Sequence, residues 1–449
     1  MKAIIIAAGK GLESKDTPPK ILPKLCGGSL LKRDFYLLRT VGIRDVIVLG
    51  ESHIPEIEKE IRNGRKLGMR LDFVRKKEWS QALFSLSEGM ESDLFLLIDG
   101  DCVFEIGLLR ILLDYKKVAL CCDSQSDENS GGGSPRILCE DGQIQRIGKD
   151  LKSWNKIYTG VALCNRRILS LLEDQGVNLT DWPVSLNRVL SQQDVSCLDL
   201  SEAASYDSEL RRKVKPFWGK INSAQDLKEA KKRLVTGTQK RTLDVMAWYV
   251  HRPIENRITY YLSELPLTPN QLTIFTNILA FFITFLFFKG NLLIASLLIF
   301  VVNIMDGLDG KQARAKGLFT HIGNLEHSLD TLYEQSWYIA FSWAIFTISR
   351  SFLPLQLCLA IILFDSFNRH CSMQFRAVMG VPLADYSPFD RAFRRFDGRR
   401  NIYTVYILVG ILIGQPIYSL LAMLIHAIVT GLVYFLRSAR HMHAADMDR

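Results

Sequence analysis

The sequence is poor in the features that organise small secreted or metal-stapled domains. Its 9 cysteines, an odd number, run from Cys26 to Cys371 with no two at CxxC spacing. Neither a disulfide framework nor a zinc-ribbon site organises the chain, and a reducing, cytoplasm-facing compartment is expected. Charge is scarce too: 23% of residues are charged against 48% hydrophobic, with mean hydropathy +0.09. That is too apolar for an ordinary soluble enzyme and too polar for a chain made only of membrane spans. Acidic residues are the minority charge, 47 against 56 Lys and Arg, for a net +9, an excess that suits nucleic acid, an anionic membrane or phosphorylated ligands. No secretory leader is expected, because Met1-Lys2 leads into only a short apolar run, Ala3 to Ala8, and then glycine. What is present is length: 449 residues, at about 150 per domain, allow two or three domains and exclude disorder and peptide-sized folds.

Up to about residue 235 short apolar runs alternate with polar helical stretches: KAIIIAA, a glycine loop, DVIVLG, DLFLLIDGD. Continuous apolar runs of this length are the signature of strands buried on both faces, so a Rossmann-like α/β domain with a mostly parallel sheet is predicted. From Leu272 the apolar stretches lengthen, at about 271–289, 291–305, 336–349, 352–364, 401–415 and 417–436. Several approach the ~20 residues that cross the hydrocarbon layer, and six transmembrane helices are predicted. Lys289 and Arg350 stand nearly alone in two connections, whereas Lys311, Arg314, Lys316, Arg369, Arg376, Arg391, Arg394, Arg395, Arg399 and Arg400 crowd the alternate ones. By the positive-inside rule the crowded side is cytoplasmic, together with the soluble domain and both termini. Topology and phosphate-bearing ligands then account for the net charge, and nucleic acid is not an expected partner. Between the halves, Thr242 to Leu265 mixes Trp248, Tyr249, Tyr260 and Tyr261 with His251, Arg252 and Arg257, the pattern of an amphipathic helix in the headgroup layer.

The most informative stretch is Asn303 to Gln335. Asp306 and Asp309 end an apolar span, where each carboxylate costs kilocalories unless ligated or wet. They fall one helical turn apart, and Glu326, Asp330 and Glu334 repeat at i, i+4 and i+8 on the next helix. Two facing acidic stripes make an oxygen-rich cage suited to Mg²⁺ or Mn²⁺.

Asp306, Asp309, Gly310, Ala313, Arg314 and Gly323 resemble, residue by residue, the D-x2-D-G-x2-A-R-x8-G-x3-D-x3-D pattern of the CDP-alcohol phosphotransferase family. Where its last two aspartates should stand, the chain has His327 and Thr331. The working pair is then either Glu326 with Asp330 or Asp330 with Glu334. Leu329 and Leu332 around Asp330 favour the second. The resemblance implies a six-helix membrane enzyme in which Asp306, Asp309, Asp330 and Glu326 hold the metal. Gly310, Ala313, Arg314 and Gly323 then face the nucleotide, and an acid among Asp330, Glu334 and Glu326 is general base on the acceptor hydroxyl. Arg369, Arg376, Arg399 and Arg400 either meet lipid headgroups or bind a phosphate on the acceptor.

In the first half, Gly9 and Gly11 after the first strand, Lys20 within PKILP, Asp99-Gly100-Asp101 and the segment Trp218 to Leu227 are similar to the sugar-nucleotidyltransferase family. The stretch Glu140 to Asp150, followed by Thr159-Gly160-Val161, resembles inositol-1-phosphate cytidylyltransferases in particular. Gly9, Gly11 and Lys20 are then nucleotide-binding and Asp101 a metal ligand. Glu13 stands where the family's loop has a phosphate-contacting Arg, and Lys220 where a second metal-binding Asp precedes Ile-Asn; each reverses a charge beside a triphosphate.

The expected organisation is a nucleotidyltransferase-like domain at 1–236, a linker with juxtamembrane helix at 237–268 and a transmembrane domain at 269–440. The fusion in this order resembles families joining an inositol-phosphate cytidylyltransferase to a di-inositol-phosphate phosphate synthase. It implies an inner-membrane, multi-pass enzyme moving phosphoinositol from CDP-inositol to inositol 1-phosphate with release of CMP, the soluble half making the CDP-alcohol from CTP. The other reading is a CDP-diacylglycerol-dependent phospholipid synthase with a non-catalytic soluble half. Membrane lipids are expected partners, and a homodimer is left open.

Overall fold

The computed structural model describes residues 1–7, 20–50, 54–75, 93–125, 133–174, 182–207, 210–240, 244–319 and 325–447. The first half is built on a nine-stranded sheet. Its strands are β1 (Lys2–Ala7), β2 (Asp45–Gly50), β3 (Arg70–Arg75), β4 (Leu94–Asp99), β5 (Ala119–Asp123), β6 (Arg136–Glu140), β7 (Gln143–Gly148), β8 (Lys156–Asn165) and β9 (Ser196–Asp199). In space the order is β3-β2-β1-β4-β8-β5-β9-β7-β6. The apolar runs of β1 and β4 are buried on both faces, as their composition demands. Pairing is parallel through β3, β2, β1 and β4. It then turns antiparallel where β8 joins β4 and β5.

The sheet is therefore mixed rather than mostly parallel. A further β8–β6 pairing closes β8, β5, β9, β7 and β6 into a ring. The ring closes at β8, whose register against β5 slips between Tyr158 and Ala162. Gly160 in that slip has φ +93, and a Cβ there would strike the Cys102 side chain, so only glycine lets the strand bend past its neighbour.

In the second half, α4 (Pro269–Phe288) starts at a capping box: Thr268 Oγ1 accepts from Gln271 N–H at 3.3 Å and Gln271 Oε1 accepts from Thr268 N–H at 2.9 Å. Before it in the chain come α1 (Leu30–Thr40), α2 (Ala224–Gly237) and α3 (Arg252–Leu262). After it come α5 (Leu292–Lys316), α6 (Glu326–Ser349), α7 (Leu353–Met379), α8 (Arg400–Leu412) and α9 (Pro416–Met447). Ala280, Ile299, Trp337, Phe341, Ile361, Ile407 and Met423 form their shared core. Ile274, Ile278, Phe282 and Phe285 of α4 stay exposed, a surface that suits lipid.

Among the described residues, three helices are long and apolar enough to cross a membrane: α4, α5 and α9. Six were expected. Helices α6 and α7, of 24 and 27 residues, are long enough, but ionisable residues such as Glu326, Asp330, Glu334, Asp365 and Arg369 interrupt their apolar character. Helix α8 has only 13 residues.

The halves meet through a small apolar cluster that joins Leu30, Val103, Leu234 and Ala315. The buried Arg33 of α1 donates to the carbonyl of Ala315 at 2.6 Å. Gly27, at φ +82, seats bare backbone against the Ser263 carbonyl just after α3; a Cβ there would come within 2.6 Å of that oxygen.

Candidate active site

Helix α5 stops at Gly317, whose φ of +70 only glycine adopts without strain, so its last turns deliver Asp306, Asp309 and Arg314 to one end of the helical half. Asp309 is 2% exposed and accepts from Thr273 Oγ1 of α4 at 2.6 Å. Asp306 accepts from Tyr333 Oη of α6 at 3.2 Å and pairs with Arg400 at the start of α8. Arg400 also reaches Glu334 at 3.2 Å. Arg369 of α7 pairs with Glu334 and, at 2.8 Å, with Asp365. In front of these pairs Glu326, His327 and Asp330 bring one ligand atom each within 4.8 Å of one another. His327 Nδ1 lies 3.5 Å from Asp330.

The balance of charge decides what the site can hold. Arg400 and Arg369 offset Asp306, Glu334 and Asp365. Among the described residues no guanidinium pairs with Asp309, Glu326 or Asp330, which lie within electrostatic reach of one another and of Asp306. Hard, half-dehydrated oxygens in excess of their cations fit a divalent ion with oxygen preference.

The predicted residues are distributed unevenly. Asp306, Asp309, Glu326, Asp330 and Glu334 come together, and Arg369 and Arg400 join them. Arg399 instead pairs with Asp397 at 2.9 Å and donates to Tyr434 Oη at 2.8 Å, while Arg376 is exposed on α7. Arg314 Nε donates to the carbonyl of Thr238 at 3.1 Å, and its guanidinium lies over Gly310. Ala313 is half-buried one residue before it. Gly323, Gly9, Gly11 and Glu13 lie outside the described residues.

Several partners escaped sequence reasoning. Asp365 sits four residues before Arg369 in an apolar run, a signal in its own right. Thr273 and Tyr333 carry no such mark. Lys311 of α5, 3% exposed, pairs with Glu255 of α3 at 2.9 Å and donates to Gln239 and Asn256 at 2.7 and 2.6 Å. Next to Gln239, Lys240 enters the field of Asp306 and Glu326; burial, with the nearby Arg314 and Arg211, lowers its pKa to about 8. A cavity of about 70 Å³ lies at the seam of the halves, lined by Arg33, Glu105, Thr238 and Arg314 among others.

In the first half, Asp99 ends β4 and Asp101 and Cys102 follow it, with ligand atoms of the three within 4.8 Å of one another. Lys220 Nζ stands 3.5 Å from Asp101, and Lys20 Nζ donates to Asn222 Oδ1 at 2.7 Å. Burial raises the Asp99 carboxyl to about 6, with Lys220 pulling the other way.

Residues 266–433 match the CDP-alcohol phosphatidyltransferase family model. The second half is thus a CDP-alcohol phosphatidyltransferase domain, and the protein is a membrane transferase. The chain is similar to the Bifunctional IPC transferase and DIPP synthase of Aquifex aeolicus, 25% identical over 327 residues, 72% of each chain. It is 26% identical over 344 residues to the protein of that name from Thermococcus kodakarensis, 76% of this chain and 74% of the relative. The Archaetidylinositol phosphate synthase of Pyrococcus horikoshii is 35% identical over 88 residues, 19% of this chain and 46% of its own. The solved inositol-1-phosphate CTP transferase from T. maritima is 20% identical, with TM-score 0.39, covering 50% of this chain and 90% of that structure.

Proposed function

We propose that the protein transfers phosphoinositol from CDP-inositol to a hydroxyl of inositol 1-phosphate and releases CMP, with the soluble half, residues 1–236, binding CTP-derived nucleotide. The relatives named for both activities over 70% or more of the chain support the pairing. The observation that carries the membrane step is the convergence of Asp306, Asp309, Glu326 and Asp330 at one end of the helices, with arginines on two sides.

Asp306, Asp309, Glu326 and Asp330 would hold Mg²⁺ or Mn²⁺, which when bound neutralises the donor diphosphate and the departing CMP. Arg314 and Lys240 steady the same phosphates from the side of the soluble half. The β-phosphorus is attacked in line by the acceptor oxygen, whose proton passes to Asp330. Glu334 is engaged by both Arg369 and Arg400, which favours Glu326 with Asp330 as the working pair. Arg369 and Arg400 can exchange part of that pairing for the acceptor's phosphate, which guanidinium forks suit. Arg376 and Arg399 have the headgroup or anchoring role. We further propose six spans at residues 269–440, reached through the 237–268 linker, in the inner membrane with both termini cytoplasmic, as the basic connections imply.

The resemblance to a synthase named for archaetidylinositol phosphate over 88 residues favours a second reading, a lipid-linked CDP donor. Detergent-purified protein with Mg²⁺ and inositol 1-phosphate, offered CDP-inositol or CDP-diacylglycerol, separates them. CMP release with CDP-inositol supports the first, and release only with CDP-diacylglycerol supports the second. No release with either removes both.

A further inference from the structure

The soluble half carries its own cation where its geometry would admit a metal. Strand β1 pairs with β2 on one side and β4 on the other, all parallel, so the chain reverses direction of travel at β1. Ligands of open α/β sheets bind at the carboxyl ends of the strands at such a point. Asp99 is the last residue of β4 and Asp101 follows two residues later, and with Cys102 they form a compact group of possible ligands.

Two features fill that group from within. The strand Trp218–Lys220 pairs antiparallel with Cys102–Phe104, with Lys220 directly opposite Cys102, and Ile221 N–H donates to the Asp101 carbonyl at 2.8 Å. This ladder pins the Lys220 ammonium 3.5 Å from Asp101, with both side chains about five-sixths buried. Asp99 is engaged on one oxygen by Trp182 Nε1 at 3.0 Å. A divalent ion bound to Asp101 would stand closer to the ammonium than like charges tolerate in a half-dry pocket. The Lys220 ammonium also acts on Asp99, as does Lys149, so both carboxylates already stand in the field of fixed cations.

We propose that this crevice binds a nucleoside triphosphate, or another polyphosphate-bearing nucleotide, without a divalent metal, the Lys220 ammonium taking the metal's place and Asp101 acting as its charge partner. Ammonium donors bind phosphate oxygens directly, so affinity survives chelation. A fixed lysine cannot, however, follow the shifting charge of nucleotidyl transfer as a metal held by two carboxylates does. The soluble half is therefore a holder of nucleotide that is slow or silent in metal-assisted cytidylyl transfer. This rests on the reading of that half as a nucleotide-binding domain.

The test is equilibrium dialysis of radiolabelled CTP against the full chain carrying Asp309→Ala, which silences metal-dependent binding at the membrane site. Affinity in EDTA is expected within ~3-fold of that in Mg²⁺, and Lys220→Ala should weaken it at least ~10-fold. Binding in Mg²⁺ but not in EDTA overturns the proposal and leaves the nucleotide-binding reading standing. Binding in neither overturns both. Counting bound Mn²⁺ by electron paramagnetic resonance gives an independent readout. Lys220→Asp should add a site that the Lys220 protein lacks. A tightly bound Mn²⁺ lost on Asp101→Asn in the otherwise unaltered chain overturns the proposal as well.

Discussion

Lys311, two residues beyond Asp309 on the acidic helix, donates to Gln239 at the exit of the soluble half at 2.7 Å while pairing with Glu255 at 2.9 Å. The helix that carries the acids is thus pinned by the segment that joins the two halves. Glu255 also lies against Gly307, where any Cβ would meet its carboxylate at about 2.5 Å. Replacing Lys311 by Met leaves a buried carboxylate without its cation. A loss of ~3–5 kcal/mol is expected, read as a lowered thermal midpoint in detergent. Gln239→Ala, which removes one neutral partner, should cost only about 1 kcal/mol.

Substitution along the two acidic stripes should give graded losses of CMP release. Asp309→Ala is expected to lower kcat by at least ~10³-fold, and Thr273→Val, which only frees one oxygen of Asp309, by about 10-fold. Asp330→Asn and Glu326→Gln should each exceed Glu334→Gln in lost kcat. The reverse order would return Glu334 to the working pair.

Among the described residues Arg369 is the cation that pairs with Asp365, and Arg400 is shared between Asp306 and Glu334. Arg369→Met should therefore act first on stability, by about 3 kcal/mol or more. Arg400→Lys keeps the charge but loses the fork, and is expected to raise KM for inositol 1-phosphate by about 10-fold with a smaller change in stability.

The pH profile should carry the mark of Lys240. Burial and neighbouring arginines bring its pKa down to about 8 from an ordinary 10.5. As pH rises through about 8 the folded chain loses this cation beside Asp306 and Glu326, so KM for the CDP donor should climb. The unfolded chain keeps its proton until about 10.5, so between these values it binds more protons than the folded one, and this residue's contribution to stability rises with pH. Activity and stability should thus move in opposite directions across that window. Lys240→Gln should flatten both, as read by initial rates and thermal midpoints.

Part of this molecule can be read from its letters. The buried runs of β1, β2 and β4 declare themselves, and so do Asp306, Asp309 and Arg314, because acids one turn apart at the end of an apolar stretch have few inexpensive explanations. Strand direction does not declare itself: Lys156–Asn165 is as apolar as a parallel strand, and its antiparallel setting comes from the path that brings it beside partners far along the chain. Nor can the spacing of acids show that Arg400, 94 positions from Asp306, sits on its carboxylate, or that Glu334 is already claimed. Helices α6 and α7 read as spans only in their apolar stretches, because the buried pairs that allow their charges to sit inside are tertiary facts.

The naked backbone at Gly27 has a consequence for how far the first half can swing. Since even a methyl group there would collide with the Ser263 carbonyl, in the segment that leads into α4, the first half is seated directly on that segment instead of dangling from a cord, and enlarging this one residue should loosen the seat.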